Sequence, residues 1–163
     1  MDLIEAVDFV SRDTFQGLKP NGEGWAAISL GNPAEMPPSN LARFSNFLRL
    51  EFLDLTPECL AKYDAPEEAL CQPAQVAAVL SLVERLHAAP EPYKLVVHCR
   101  MGLSRSPAFA LMVHAVTGCY FPRREDSGFA NRHVLKMAMA QIGRPIEVPG
   151  YREQPEFGPS LMI

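Results

Sequence analysis

"LVVHCRMGLSRSPAFAL", residues 95–111, passes from one apolar stretch through a short turn into another. The first stretch is short and apolar throughout, as a strand buried on both faces must be. In the second, Ala108, Leu111, Met112 and Ala115 recur at helical spacing, and Gly118 supplies a helix stop. Between them stand His98 and Cys99 at the end of the strand, then Arg105 and Ser106 at the start of the helix. The segment therefore reads as strand, tight loop, helix.

The same alternation extends outward in both directions. Residues 3–10 (LIEAVDFV), 25–30 (WAAISL), 47–53 (FLRLEFL) and 94–98 (KLVVH) read as strands, the second closed by the turn Gly31-Asn32-Pro33. Val76, Val79, Leu80, Val83 and Leu86 recur at helical spacing, with Pro73 in the first turn. A further helix follows Asn131, a good cap, and carries Val134, Leu135, Ala138 and Ile142 before Gly143 and Pro145 end it. Strands separated by helices predict an α/β fold. Its sheet is mainly parallel, of four to five strands, with helices on both faces and the tight loop between the central strand and a helix. The 163 residues fit one domain, residues 1–163, whose last part, 146–163, is too rich in Pro and Gly for regular structure.

Composition narrows the function classes. Hydrophobic residues make up 48% and charged residues 21%, and the net charge is −4, which speaks against a nucleic-acid partner or a membrane surface. No apolar run approaches the roughly 18 residues of a membrane span. MDLIEAVDFVSRD carries acids where an export signal carries basic residues, so a cytoplasmic setting is expected. Cys59, Cys71, Cys99 and Cys119 form no CxxC pair and no finger-like spacing with histidine, so neither a metal nor another cofactor is expected. Reduced thiols are expected in such a compartment, and a reactive thiol needs one.

In open α/β sheets ligands bind at the carboxyl ends of the strands, where Cys99 falls. The helix that follows offers unpaired N–H groups and the positive end of its dipole, an anion site. GxxxxGK[ST] is absent, so the loop is not a nucleotide-binding one. Arg105 closes it instead, with a fork suited to two oxygens of a phosphate, and Gly102 lets the backbone curl inward. The same positive field favours thiolate over thiol. One loop thus activates a sulfur nucleophile and cradles its target, which is the requirement for phosphoryl transfer to sulfur.

His98-Cys99-Arg100-Met101-Gly102-Leu103-Ser104-Arg105-Ser106 resembles the HCxxGxxR[ST] signature of the protein tyrosine phosphatase superfamily, and SRSP is most similar to its dual-specificity branch. The close resemblance covers about residues 94–117. A weaker likeness to compact bacterial members runs from FLRLEFLDLTP to ANRHVLKMAMAQIGR. The resemblance implies that Cys99 carries a phosphocysteine intermediate, that Arg105 binds phosphate, and that Ser106 donates to the sulfur and eases its release. It implies a phosphate cradle formed by Arg100, Met101, Gly102, Leu103, Ser104 and Arg105, with His98 bonded to backbone behind the loop. It also implies an Asp that protonates the leaving group. Asp54, directly after FLRLEFL, has the right position, while Asp64 in KYDAPEEAL lies closer in sequence to Cys99. Position at the strand's end favours Asp54.

Three functions are compatible with these residues. The first is a cysteine phosphatase for phosphotyrosine, with dual specificity as an extension. The second is the same chemistry on an inositol phosphate or another non-protein phosphate. The third is a module that only binds phosphorylated partners; against it, nothing in the motif is broken. Cys59, Cys71 and Cys119 are either partners for an oxidised Cys99 or, as the better reading, buried structural thiols.

Overall fold

The structure, a computed structural model, describes residues 4–20 and 24–151. Four strands, β1 (Ile4–Ser11), β2 (Trp25–Gly31), β3 (Asn46–Glu51) and β4 (Tyr93–Cys99), form one sheet in the order β1-β4-β2-β3. Every pairing is parallel. Helices α1 (Arg12–Gln16), α2 (Pro73–His87), α3 (Arg105–Thr117) and α4 (Arg132–Ile142) connect and cover it. The fold is α/β with a four-stranded, wholly parallel sheet flanked by helices. Among the described residues no helix is long and apolar enough to cross a membrane.

Strand alternation sorts the core into two layers. Leu95, Val97 and Cys99 of β4 face the large cluster that includes Val79, Leu82, Phe109 and Leu135 from α2, α3 and α4. Val96 faces the other way, into a small cluster with Phe15 of α1, Leu41 and Phe44. Helix α3 is buried without interruption from Arg105 to Val113, as befits a helix wedged between a sheet and two other helices. Its Gly118 cap has φ +70°, the left-handed conformation expected of a helix stop.

The differences from the sequence reading have local causes. Helix α1 escapes notice because five residues hold one buried side chain, Phe15, and show no periodicity. Ser11 starts it by accepting from Thr14 N at 3.2 Å. At the end of β3, Phe52 N still bonds Gly31 O at 2.9 Å, but Leu53 N turns away to Ala69 O at 2.7 Å, so the strand is shorter than its apolar run. Residues 145–149 form no helix or strand. Leu3 of the first predicted strand and the tail from 152 onward lie outside the described residues.

Candidate active site

Sheet order puts the end of β4 between β1 and β2, where connections leave in opposite directions and a crevice forms. Cys99 is the last residue of β4 and is 2% exposed, so it lies at the bottom of the loop that follows. Its Sγ is 3.1 Å from Ser106 Oγ in the first turn of α3. Gly102 has φ +71°, and a Cβ there would meet Ser11 N at 2.7 Å and Val10 C at 2.8 Å. Only glycine lets the loop press against the end of β1 in this way. From the same side, Arg12 N donates to Arg100 O at 3.1 Å.

Arg105 is 1% exposed, an unusual place for a guanidinium. Its Nη1 donates to Asn32 Oδ1 at 3.0 Å and to Phe52 O at 2.7 Å. Both acceptors are neutral, and among the described residues no carboxylate pairs with it. Its Nε is buried with no hydrogen-bond partner. A buried cation without a counter-charge is costly, and such a group is stabilised when an anion comes to it.

Ser104 precedes α3 and is a residue type that ordinarily caps a helix, yet its side chain makes no cap bond. It donates instead to Asp54 Oδ1 at 2.7 Å. The amide N–H groups of the first turn are therefore left without a side-chain acceptor, which preserves them for an anion. The Ser104 hydroxyl is thus turned toward Asp54. Arg100, Met101 and Leu103 turn their side chains outward, Met101 and Leu103 being 55% and 46% exposed. These last two line a cavity of about 520 Å³ along the outer wall of the loop, together with Ser11, Thr14 and Phe129.

Asp54 lies at the expected edge of the sheet but is 3% exposed. Asn131 Nδ2 joins Ser104 in donating to its Oδ1, also at 2.7 Å. Asn131 does more than the cap role read from sequence: its Oδ1 accepts from Val134 N, and its backbone N donates to Ser104 O at 3.0 Å. Asp64 is exposed in a turn with φ +49°, a conformation that Asp tolerates, and has no contact with the loop among the bonds seen.

His98 is fully buried and packs against the Phe15 ring, tilted by 32° with centroids 4.4 Å apart. Its Nδ1 is 3.4 Å from Cys99 O, and its Nε2 is 2.6 Å from Ser29 Oγ. Burial, helped by the positive charges of Arg49, Arg12 and Arg105, pushes its pKa down to about 4, so the ring is neutral near pH 7.

No disulfide joins any of Cys59, Cys71, Cys99 and Cys119 to another of them. Burial pushes the Cys71 thiol up to about 12, which makes it inert. Cys119 lies beyond the far end of α3, roughly 20 Å along the helix from the loop at 1.5 Å per residue. Cys119 is therefore not placed to trap an oxidised Cys99 without rearrangement, whereas Cys71 shares the core cluster of Cys99.

Asn32, Ser29 and Arg49 are site residues that the sequence reading missed. Asn32 was legible only as turn chemistry, since nothing in Gly31-Asn32-Pro33 reveals an arginine from 73 positions away. Ser29 had a visible sign, as the polar residue inside the otherwise apolar WAAISLG, whereas Arg49 had none, because its strand NFLRLE carries other polar residues. No protein-family model matches the chain, and no curated protein matches it.

Proposed function

We propose that the protein is a cysteine-dependent phosphatase that hydrolyses phosphomonoesters through a phosphocysteine intermediate, with phosphotyrosine as the foremost substrate. The observation that carries this reading is Arg105: a buried guanidinium with no carboxylate partner and an unbonded Nε, at an uncapped helix start that follows a buried cysteine. A dianionic phosphoryl group answers each of those features at once.

In the first step the Cys99 sulfur attacks phosphorus. The S–P bond forms as the P–O bond to the substrate breaks, and the leaving oxygen takes a proton. Arg105 and the loop N–H groups hold the three equatorial oxygens, whose charge is greatest in the transition state. We assign the proton to Asp54, the carboxyl that Ser104 ties to the loop. Its Oδ1 accepts from the two donors, which fixes the carboxyl beside the loop. In the second step water attacks phosphorus, Asp54 takes back a proton, and the S–P bond breaks. Ser106 Oγ, 3.1 Å from Sγ, donates to the sulfur as it regains its charge. Met101 and Leu103, exposed on the loop itself, offer an apolar wall to an aromatic leaving group, which favours an aryl phosphate over a sugar phosphate.

The testing experiment is turnover of phosphotyrosine peptides, phosphoserine peptides and inositol phosphates. Preferential hydrolysis of the first supports the reading. Hydrolysis of inositol phosphates alone would move it to a non-protein substrate, and binding of all with turnover of none would make the protein a binding module.

A further inference from the structure

Three strands meet in one polar row behind the loop. Ser29 of β2 is in register with His98 of β4 on one side and with Arg49 of β3 on the other. All three side chains lie on the same face, opposite to Cys99. Arg49 Nη1 donates to Ser29 Oγ at 2.9 Å, Ser29 Oγ meets His98 Nε2 at 2.6 Å, and His98 Nδ1 meets Cys99 O at 3.4 Å.

The donor inventory gives this row a direction. A guanidinium only donates, so Ser29 Oγ accepts from Arg49. At the far end a carbonyl only accepts, so His98 Nδ1 carries the proton. The ring is neutral, so its Nε2 is bare and must accept, which means the Ser29 hydroxyl points its proton at His98. The His98 end sets this orientation, and the Arg49 bond is compatible with it, because a hydroxyl oxygen can accept from Arg49 while its proton points at His98.

We infer that Arg49 and Ser29 are positioning residues that lock His98 in its Nδ1–H tautomer and, through the Cys99 carbonyl, hold the peptide at the mouth of the loop in the orientation that favours the thiolate. The inference rests on the proposed phosphatase reading for its purpose, but not for its geometry. Arg49 is itself fixed: Nη2 donates to Glu35 O at 2.8 Å, and its guanidinium lies 3.6 Å from the carboxylates of both Glu35 and Glu51. Gly31 supplies the room, because a Cβ there would collide with the Arg49 guanidinium and the Glu35 carboxylate. The groups facing His98 from every packed element are consistent with a neutral ring: Phe15 and Arg12 from α1, Val10 from β1, Ser29 from β2, Arg49 from β3 and Arg105 from α3.

If the proton sat on Nε2 instead, a bare Nδ1 would face the Cys99 carbonyl, lone pair against lone pair, and the peptide would tilt away. Removing Ser29 or Arg49 weakens the preference between these two tautomers.

Two measurements test this. Nitrogen NMR of the His98 ring in the intact protein reports which nitrogen is protonated. Nδ1–H is expected, and Nε2–H overturns the proposal whatever the protein's activity. The second is the pH dependence of Cys99 alkylation by iodoacetate, read by mass spectrometry. Ser29→Ala and Arg49→Met should each move the half-maximal pH upward by about one unit, a shift worth about 1.4 kcal/mol. Ser29→Thr, which keeps the hydroxyl, should restore the original profile. Folded variants with an unmoved profile overturn the proposal. A parent protein whose Cys99 reacts only at the pH of an ordinary thiol would instead count against the phosphatase reading, so the two failures are distinct.

Discussion

Ser104 Oγ lies 2.7 Å from Asp54 Oδ1, a hydrogen bond that ties the loop after β4 to the chain leaving β3. Asn131 Nδ2 completes the clamp on the same oxygen. Under the proposed mechanism Asp54 has two separable duties, to orient the loop and to supply a proton. Asp54→Asn keeps an oxygen for both donors but has no proton to give. Its turnover of phosphotyrosine should fall about 10²-fold or more, while an aryl phosphate with an acidic leaving group should lose much less. A loss equal for both substrates would show that Asp54 only orients the loop. Asp64→Asn, in an exposed turn, should change neither rate.

Arg105 leads to a second prediction, because its buried charge is relieved by an anion. Inorganic phosphate at about 100 times its dissociation constant should stabilise the fold by roughly 2.7 kcal/mol, seen as a rise in the thermal midpoint. Arg105→Lys, a point charge in place of a fork, should lose that rise and about 10²-fold or more in turnover. A lysine variant with normal turnover would contradict the assigned role.

Gly102 should not tolerate a side chain. With φ +71° and a Cβ path blocked by Ser11 N at 2.7 Å, Gly102→Ala should cost at least 1–2 kcal/mol, roughly the penalty for a left-handed alanine alone. Denaturant unfolding measures that cost, and the loss of phosphate-dependent stabilisation reports the displaced loop. An alanine variant with unchanged stability and turnover would mean that the loop does not need this contact.

His98 makes stability depend on pH in a defined window. Its pKa falls from 6.5 to about 4 on folding, so the unfolded chain binds the extra proton first. The contribution is fully present above about pH 6.5 and is lost as pH falls toward 4, amounting to about 3 kcal/mol. Unfolding free energies across that range should show this slope, and His98→Asn should flatten it. An identical slope in both proteins would assign the acid sensitivity to other groups.

Much of this was legible in the sequence because short-range rules act there. The apolar run before Cys99, the helical spacing after Arg105 and the caps Asn131, Gly118 and Gly143 each depend on neighbours within a turn or two. The loop was legible for the same reason, since Cys99, Gly102, Arg105 and Ser106 act within one tight turn and a helix start. What could not be read is what only sheet register creates. Arg49, Ser29 and His98 are far apart in the chain and become a row when three parallel strands align. The burial of Asp54 was likewise hidden, because it depends on Asn131, 77 positions away. An exposed acid after a strand and a buried one read alike in one dimension.

The most direct test of the account is the fate of the phosphoryl group during turnover. The protein is mixed with a phosphotyrosine peptide carrying radiolabelled phosphate, quenched in acid before the reaction is complete, and digested for mass spectrometry. The account predicts label on the peptide that contains Cys99, none on the same peptide from Cys99→Ser, and no turnover by that variant. Phosphate release by a Cys99→Ser protein, or steady hydrolysis with no label ever found on Cys99, would contradict it.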